Sequence, residues 1–209
     1  MELKQELKKA LEELRKTEKR KFVQTVDLII NLQKFDVKKT PINTFISIPH
    51  KAKDKKICAF LEVKNKNIDT ITPSEFKKYS DKKEIKKIIK KYDFFIAQAS
   101  LMPQIATTFG RVLGPVGKMP SPQLGILMNA DDKTIGEAIE KINQSVKVRL
   151  KEPSLKVAIG KEDMKDEDII ENVLAVYNSM LNVLPRGKEN VKNIELKFTM
   201  TKPKKIKID

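Results

Sequence analysis

Seven glycines serve a chain of 209 residues, and four of them (Gly110, Gly114, Gly117 and Gly125) fall in one 16-residue stretch with three of the ten prolines. Glycine permits backbone geometry and close approaches that a Cβ forbids, and proline fixes φ and removes an N–H. A stretch that alternates the two is expected to form a shaped loop, not a continuous helix or strand. The rest of the chain, nearly free of glycine, is expected to be built from regular elements.

The length suits one large domain or two small ones. No apolar run approaches the ~20 residues that span a bilayer, and the N-terminal MELKQELKKALEELRK has no apolar core of a secretory signal. One cysteine, Cys58, leaves no internal disulfide and fits a reducing compartment, and one histidine, His50, leaves no credible zinc site. The net charge of +15 favours an anionic partner, with nucleic acid the usual one. It divides as +5, +6 and +4 over residues 1–51, 52–144 and 145–209, so the basic surface is spread through folded segments.

Leu3, Leu7, Leu11 and Leu14 repeat at helical spacing. Residues 21–32 and 43–50, rich in β-branched and aromatic side chains, read as strands. From residue 52 the pattern changes. The apolar runs 57–63 and 92–99 suit strands buried on both faces, and they alternate with helices marked by Ile85, Ile88 and Ile89, by 101–113, and by Ile135, Ile139 and Ile142. Such alternation implies parallel βαβ units. After Ser145 the character of the opening returns, with strands at 146–150 and 156–161, a long helix at 166–184, and strands at 194–200 and 204–208. The opening segment has too few elements for a core of its own, and the closing segment could complete it. The expected fold class is therefore α/β in two domains: a discontinuous α+β lobe of residues 1–51 and 145–209, and an inserted Rossmann-like α/β lobe of residues 52–144.

Enzymatic chemistry finds little support. Gly117-Lys118 suggests a phosphate loop, but the glycine required five residues earlier is Val112, and Met119 replaces the magnesium-binding hydroxyl. Nucleophilic catalysis needs an activating base, and the only histidine, His50, follows Pro49 at a strand end and reads as a polar residue at a lobe junction. Cys58 reads as a small core hydrophobe. The acids at 162–168 read as carboxylates favoured at a helix N-terminus, and Asp131-Asp132 as a cap.

Two segments have the composition of an RNA-facing surface. In Lys19-Arg20-Lys21-Phe22-Val23-Gln24-Thr25-Val26-Asp27, bases lead into a strand; in Asn193 to Pro203, hydroxyls and Met200 gather at a strand end beside Lys202. Structured RNA is recognised by shape, by 2′-OH and phosphate contacts and by packing on exposed bases. An ordinary strand end with solvated lysines explains the same residues. Two other classes also stay open: a general duplex RNA- or DNA-binding architectural protein, and a small-molecule α/β enzyme using the strand ends of the inserted lobe.

The stretch FGRVLGPVGKMPSP (109–122) closely resembles the signature loop of the family of large-subunit ribosomal protein one, the mobile stalk protein beside the tRNA exit site, in its archaeal-type form. KFVQTVDL (21–28), SIPH (47–50) and FTMTKP (198–203) are similar to its other marked segments, in the same order. The resemblance implies the discontinuous fold, with the terminal lobe carrying rRNA binding. Lys21, Phe22, Thr25, Asp27, Asn193, Thr199, Met200 and Thr201 would be the RNA-contacting set. The loop of Arg111, Gly114, Gly117 and Lys118 would be a secondary nucleic-acid or interlobe surface. Thr201 stands where glycine is usual in the family, and Asp27 where glutamate is. The implied partners are large-subunit rRNA, the large subunit itself, exit-site tRNA and the protein's own mRNA, whose translation many members repress. The expected protein is a cytoplasmic, non-enzymatic ribosomal component, monomeric when free, with no cofactor and no membrane.

Overall fold

The computed structural model describes residues 2–17, 20–79 and 81–207. It divides the chain into two compact units, Met1–Lys53 with Gln144–Asp209, and Asp54–Asn143. In chain order the elements begin with α1 (Glu2–Arg15), β1 (Thr25–Leu32), β2 (Asn43–Ser47), β3 (Ile57–Phe60) and β4 (Asp69–Ile71). There follow α2 (Lys82–Lys91), β5 (Phe94–Gln98), α3 (Met102–Val116), β6 (Ile126–Leu127) and α4 (Asp132–Asn143). The chain closes with β7 (Ser145–Arg149), β8 (Ser154–Lys161), α5 (Asp166–Val183), β9 (Val191–Phe198) and β10 (Lys204–Ile206).

In the first unit the leucine stripe of α1 does what its spacing predicts: Leu7, Leu11 and Leu14 are fully buried. They meet a four-stranded sheet of order β10-β9-β1-β8, every pair antiparallel. Burial alternates strictly along β1, so Val26, Leu28, Ile30 and Leu32 join the core while Thr25, Asp27, Ile29 and Asn31 stay half-exposed on the other face. The same core takes Ile169, Val173, Val176 and Met180 of α5, whose first turn carries Asp166, Glu167 and Asp168. Beside the sheet, β2 and β7 form an antiparallel ribbon.

The second unit is a parallel sheet of order β4-β3-β5-β6. One face packs Phe60 and Phe95 against α2 and α3, with Phe109 of α3 centred 5.0 Å from the Phe60 ring. The other face packs Ala59 and Ile96 against Ile135 and Ile142 of α4. Cys58 is buried in this core, where burial pushes its thiol up to about 12, so it is an inert hydrophobe.

The glycine–proline stretch departs from expectation. Its first seven residues, Gly110 to Val116, continue α3. The buried stripe Ile105, Phe109 and Leu113 supplies the packing that overrides three poor helix formers, Gly110, Gly114 and Pro115. The helix stops at Gly117, whose φ of 74° is left-handed; the N–H groups of Gly117 and Lys118 return to Gly114 and Leu113. Two strands escaped the sequence pattern, β4 and β6, because three and two residues are too few to show a period. The strand expected over 21–32 starts only at Thr25, and the one expected over 194–200 ends at Phe198. Lys19 of the expected RNA-facing run and Ile208 of the last expected strand lie outside the described residues.

A candidate nucleic-acid interface at a strand end

Antiparallel pairing of β1 with β9, the two inner strands, sets Val26 opposite Phe198, so the entry of β1 and the exit of β9 meet at one end of the sheet. The join is dense. Thr25 N–H donates to Thr199 Oγ1 (3.0 Å), and Thr199 N–H donates to the Thr25 carbonyl (3.1 Å). Met200 N–H donates to Gln24 Oε1 (3.0 Å). Thr201 closes the turn on itself: Phe198 N–H donates to its Oγ1 (2.9 Å), and its own N–H donates to the Phe198 carbonyl (3.1 Å). Every polar group of this turn that bonds inward leaves the Met200 side chain outward, 61% exposed. Phe22, two residues before Gln24, is 51% exposed.

Thr201 sits without backbone strain, since among the described residues Lys34 is the one non-glycine with positive φ. The hydroxyl substitutes a side-chain bond for backbone freedom. Asp27 lies opposite Lys197 on the half-exposed face. Partial burial raises its carboxyl above the ordinary range, and the Lys197 ammonium pulls it back in part.

Six residues along β9 separate Asn193 from Thr199, about 20 Å of strand. Asn193 is therefore not part of the strand-end cluster. It accepts from Asn31 Nδ2 (2.7 Å), and Asn31 accepts from Ser154 Oγ (2.8 Å), a polar row across three strands on the same half-exposed face as Asp27. The residues expected to contact RNA thus fall in two groups: Thr25, Asp27, Thr199, Met200 and Thr201 with exposed Lys21 and Phe22 leading in, and Asn193 at the far end of the sheet.

Behind the strand end stand residues that sequence reasoning passed over. Gln24 is 1% exposed. Its backbone pairs with Glu162, whose N–H donates to the Gln24 carbonyl (2.8 Å) and whose carboxylate accepts the Gln24 N–H (3.2 Å). Arg15 then holds the 162–166 turn, donating to Asp166 Oδ1 (2.7 Å) and to the carbonyls of Glu162 and Met164 (2.8 Å each). A glutamine beside a strand and an arginine at a helix end carry no sequence signal of this.

The secondary loop is redistributed. Arg111 and Gly114 are exposed on α3, and Gly117 terminates it. Lys118, expected on a secondary nucleic-acid or interlobe surface, turns inward: its ammonium donates to the carbonyls of Ile89 and Tyr92 (2.7 Å each) and caps the C-terminus of α2. His50 N–H and carbonyl are both held by the fully buried Asn172, and its ring lies 2.7 Å from Glu171, which accounts for it as a structural polar residue.

In the second unit, the carboxyl ends of β3 and β5 would host a small ligand in a fold of this kind. There Glu62 and Ser100 are joined side chain to side chain (2.8 Å), and Glu62 N–H donates to Gln98 Oε1 (3.4 Å). Among the described residues, no cluster of three or more histidine, cysteine or acidic side chains could hold a metal ion, and no helix is long and apolar enough to cross a membrane.

Comparison with known proteins supplies the class. Residues 14–202 match the ribosomal protein L1p/L10e family, and the chain belongs to it. Among individual relatives, the large ribosomal subunit protein uL1 of Nanoarchaeum equitans (strain Kin4-M) is 38% identical over 196 residues, 89% of this chain and 92% of the relative. Its counterpart in Pyrobaculum calidifontis is 38% identical over 212 residues, 96% and 92% of the two chains. That of Thermococcus kodakarensis is 36% identical over 209 residues, 94% of each.

Proposed function

We propose that this chain is a non-enzymatic component of the large ribosomal subunit that binds its rRNA through the strand-end cluster and the half-exposed face of the first unit's sheet. Family membership supports the ribosomal assignment. The observation that carries the site is the bonding of Thr25 and Gln24 to Thr199 and Met200, which presents an uncharged, preshaped apolar tip among lysines. A rigid tip costs little entropy to dock, and packing on sugars and bases distinguishes a folded RNA from any polyanion. Lys21, Lys197 and Lys202 add phosphate attraction that is shared by all nucleic acids. In the same reading the protein is part of the mobile stalk that helps deacylated tRNA leave the exit site, and it represses its own translation by binding a similar structure in its mRNA.

The test is binding to purified large-subunit rRNA. Met200→Asp places a charge where an apolar contact is needed, and Thr199→Val leaves the Thr25 N–H without its acceptor. Each is expected to weaken specific binding by roughly 1–3 kcal/mol with the fold intact. Unchanged binding by both variants, or equal affinity of the unaltered chain for heparin, counts against the reading.

A further inference from the structure

Next to the strand end, an open groove of about 390 Å³ runs beside the C-terminal end of α1, and Leu14, Thr17, Arg20, Gln24, Met200 and Lys202 contribute to its lining. We infer that this groove takes one unpaired nucleotide of the bound RNA, with the Gln24 amide as the group that reads it. The inference rests on the rRNA-binding reading above and adds what that reading lacks, a site for a single base.

Gln24 carries the argument. Its Oε1 assignment is forced, because a backbone N–H needs an acceptor and Met200 N–H is 3.0 Å away. The Nε2 amino group therefore points its two donors elsewhere. No hydrogen bond to another described residue satisfies them, and Gln24 as a whole is 1% exposed. The amino group is not one of the fully buried unbonded side-chain atoms among the described residues, which are Ser121 Oγ and Tyr177 Oη, so it keeps an opening. Gln24 lines the groove. The donors match the acceptors of a base edge or a 2′-oxygen.

The remaining lining fits the same occupant. The exposed thioether of Met200 offers apolar contact for a ring. Arg20 and exposed Lys202 supply positive charge for the attached phosphate. The volume lies at the small end of the ~300–1,000 Å³ typical of ligand clefts, room for one nucleotide and too little for a duplex. Finally, Met200 belongs to both the strand-end tip and the groove, so an RNA seated on the first has its next nucleotide beside the second.

The experiment uses the full chain and purified large-subunit rRNA. A photoreactive benzoylphenylalanine replaces Thr17 in the groove wall, crosslinks are mapped by reverse transcription, and pairing in the free RNA is established by chemical probing. One dominant crosslink to an unpaired nucleotide is expected. In a second arm, Gln24→Glu keeps the acceptor for Met200 N–H but removes the donors and sets a carboxylate against the RNA; it is expected to weaken binding tenfold or more. Crosslinks scattered over paired nucleotides, or full-strength binding by a folded Gln24→Glu, overturn the groove while leaving rRNA binding standing. Failure of the unaltered chain to bind rRNA brings down both. The crosslinking arm decides the matter even if Gln24→Glu does not fold.

Discussion

Asp27 faces away from the core of the first unit, between Ala158 of β8 and Lys197 of β9. Partial burial raises its carboxyl above the ordinary value, and the lysine only offsets part of the shift. A raised native pKa means that the stabilising contribution is complete below the unfolded value, near pH 3.9, and is lost as pH rises through the native one. Asp27→Asn copies the protonated state. It is expected to raise the melting temperature at pH 7, with the gain disappearing at pH 3, and calorimetry at the two pH values reads this directly. A lower melting temperature for the variant at pH 7 would mean that the attraction to Lys197 outweighs burial. This residue was legible in the sequence as part of a strand with one polar face. Gln24 and Lys118 were not. A glutamine or lysine beside a strand or glycine reads as solvated, and only the tertiary fold shows one buried under Met200 and the other capping α2. Residue type fixes what a group can bond, while burial decides whether it must.

α3 shows how far element-level signals extend. Its apolar stripe is readable from the sequence as far as residue 113, but Gly114 and Pro115 make the last turn look like a loop, because propensity alone does not show the aromatic core that Phe109 enters. The glycines have different reasons to be there. Gly117 sits at a left-handed φ of 74°, where a Cβ costs about 1–2 kcal/mol. Gly114 precedes Pro115 inside the helix, where a Cβ would press on the proline ring. At Gly110 an added Cβ would meet nothing within 4 Å. Gly117→Ala is therefore expected to destabilise the protein by about 1–2 kcal/mol, and Gly110→Ala to stabilise it by about 0.5–1 kcal/mol. Urea unfolding of both variants checks the contrast; the same sign for both would show that this account of the helix end is wrong. Long elements such as α1 and α5 were readable because repeated spacing accumulates over several turns, and β4 and β6 were not because their length allows no repetition.

At the scale of the whole molecule, each unit has its own core. One cluster joins Leu7, Leu11 and Leu14 to Ile169, Val173 and Phe198, and two others lie on opposite faces of the parallel sheet between residues 57 and 142. The strand-end tip, the polar row from Ser154 to Asn193 and the groove at Gln24 all belong to the first unit. Residues 1–53 joined by a short linker to 144–209 are accordingly expected to fold and to bind large-subunit rRNA with most of the affinity of the full chain. The positive charge spread over both chain ends makes that affinity fall as salt rises, since each neutralised phosphate releases counterions. A merely polyanion-binding surface would lose nearly everything this way. Contacts by Met200, Phe22 and the strand-end turn do not depend on counterions, so preference for rRNA over duplex DNA is expected to persist as salt is raised. The measurement is the ratio of the two affinities across a salt series, with circular dichroism confirming the fold of the shortened chain. A ratio that collapses toward one, or a folded unit that binds neither nucleic acid, would place recognition outside the surface described.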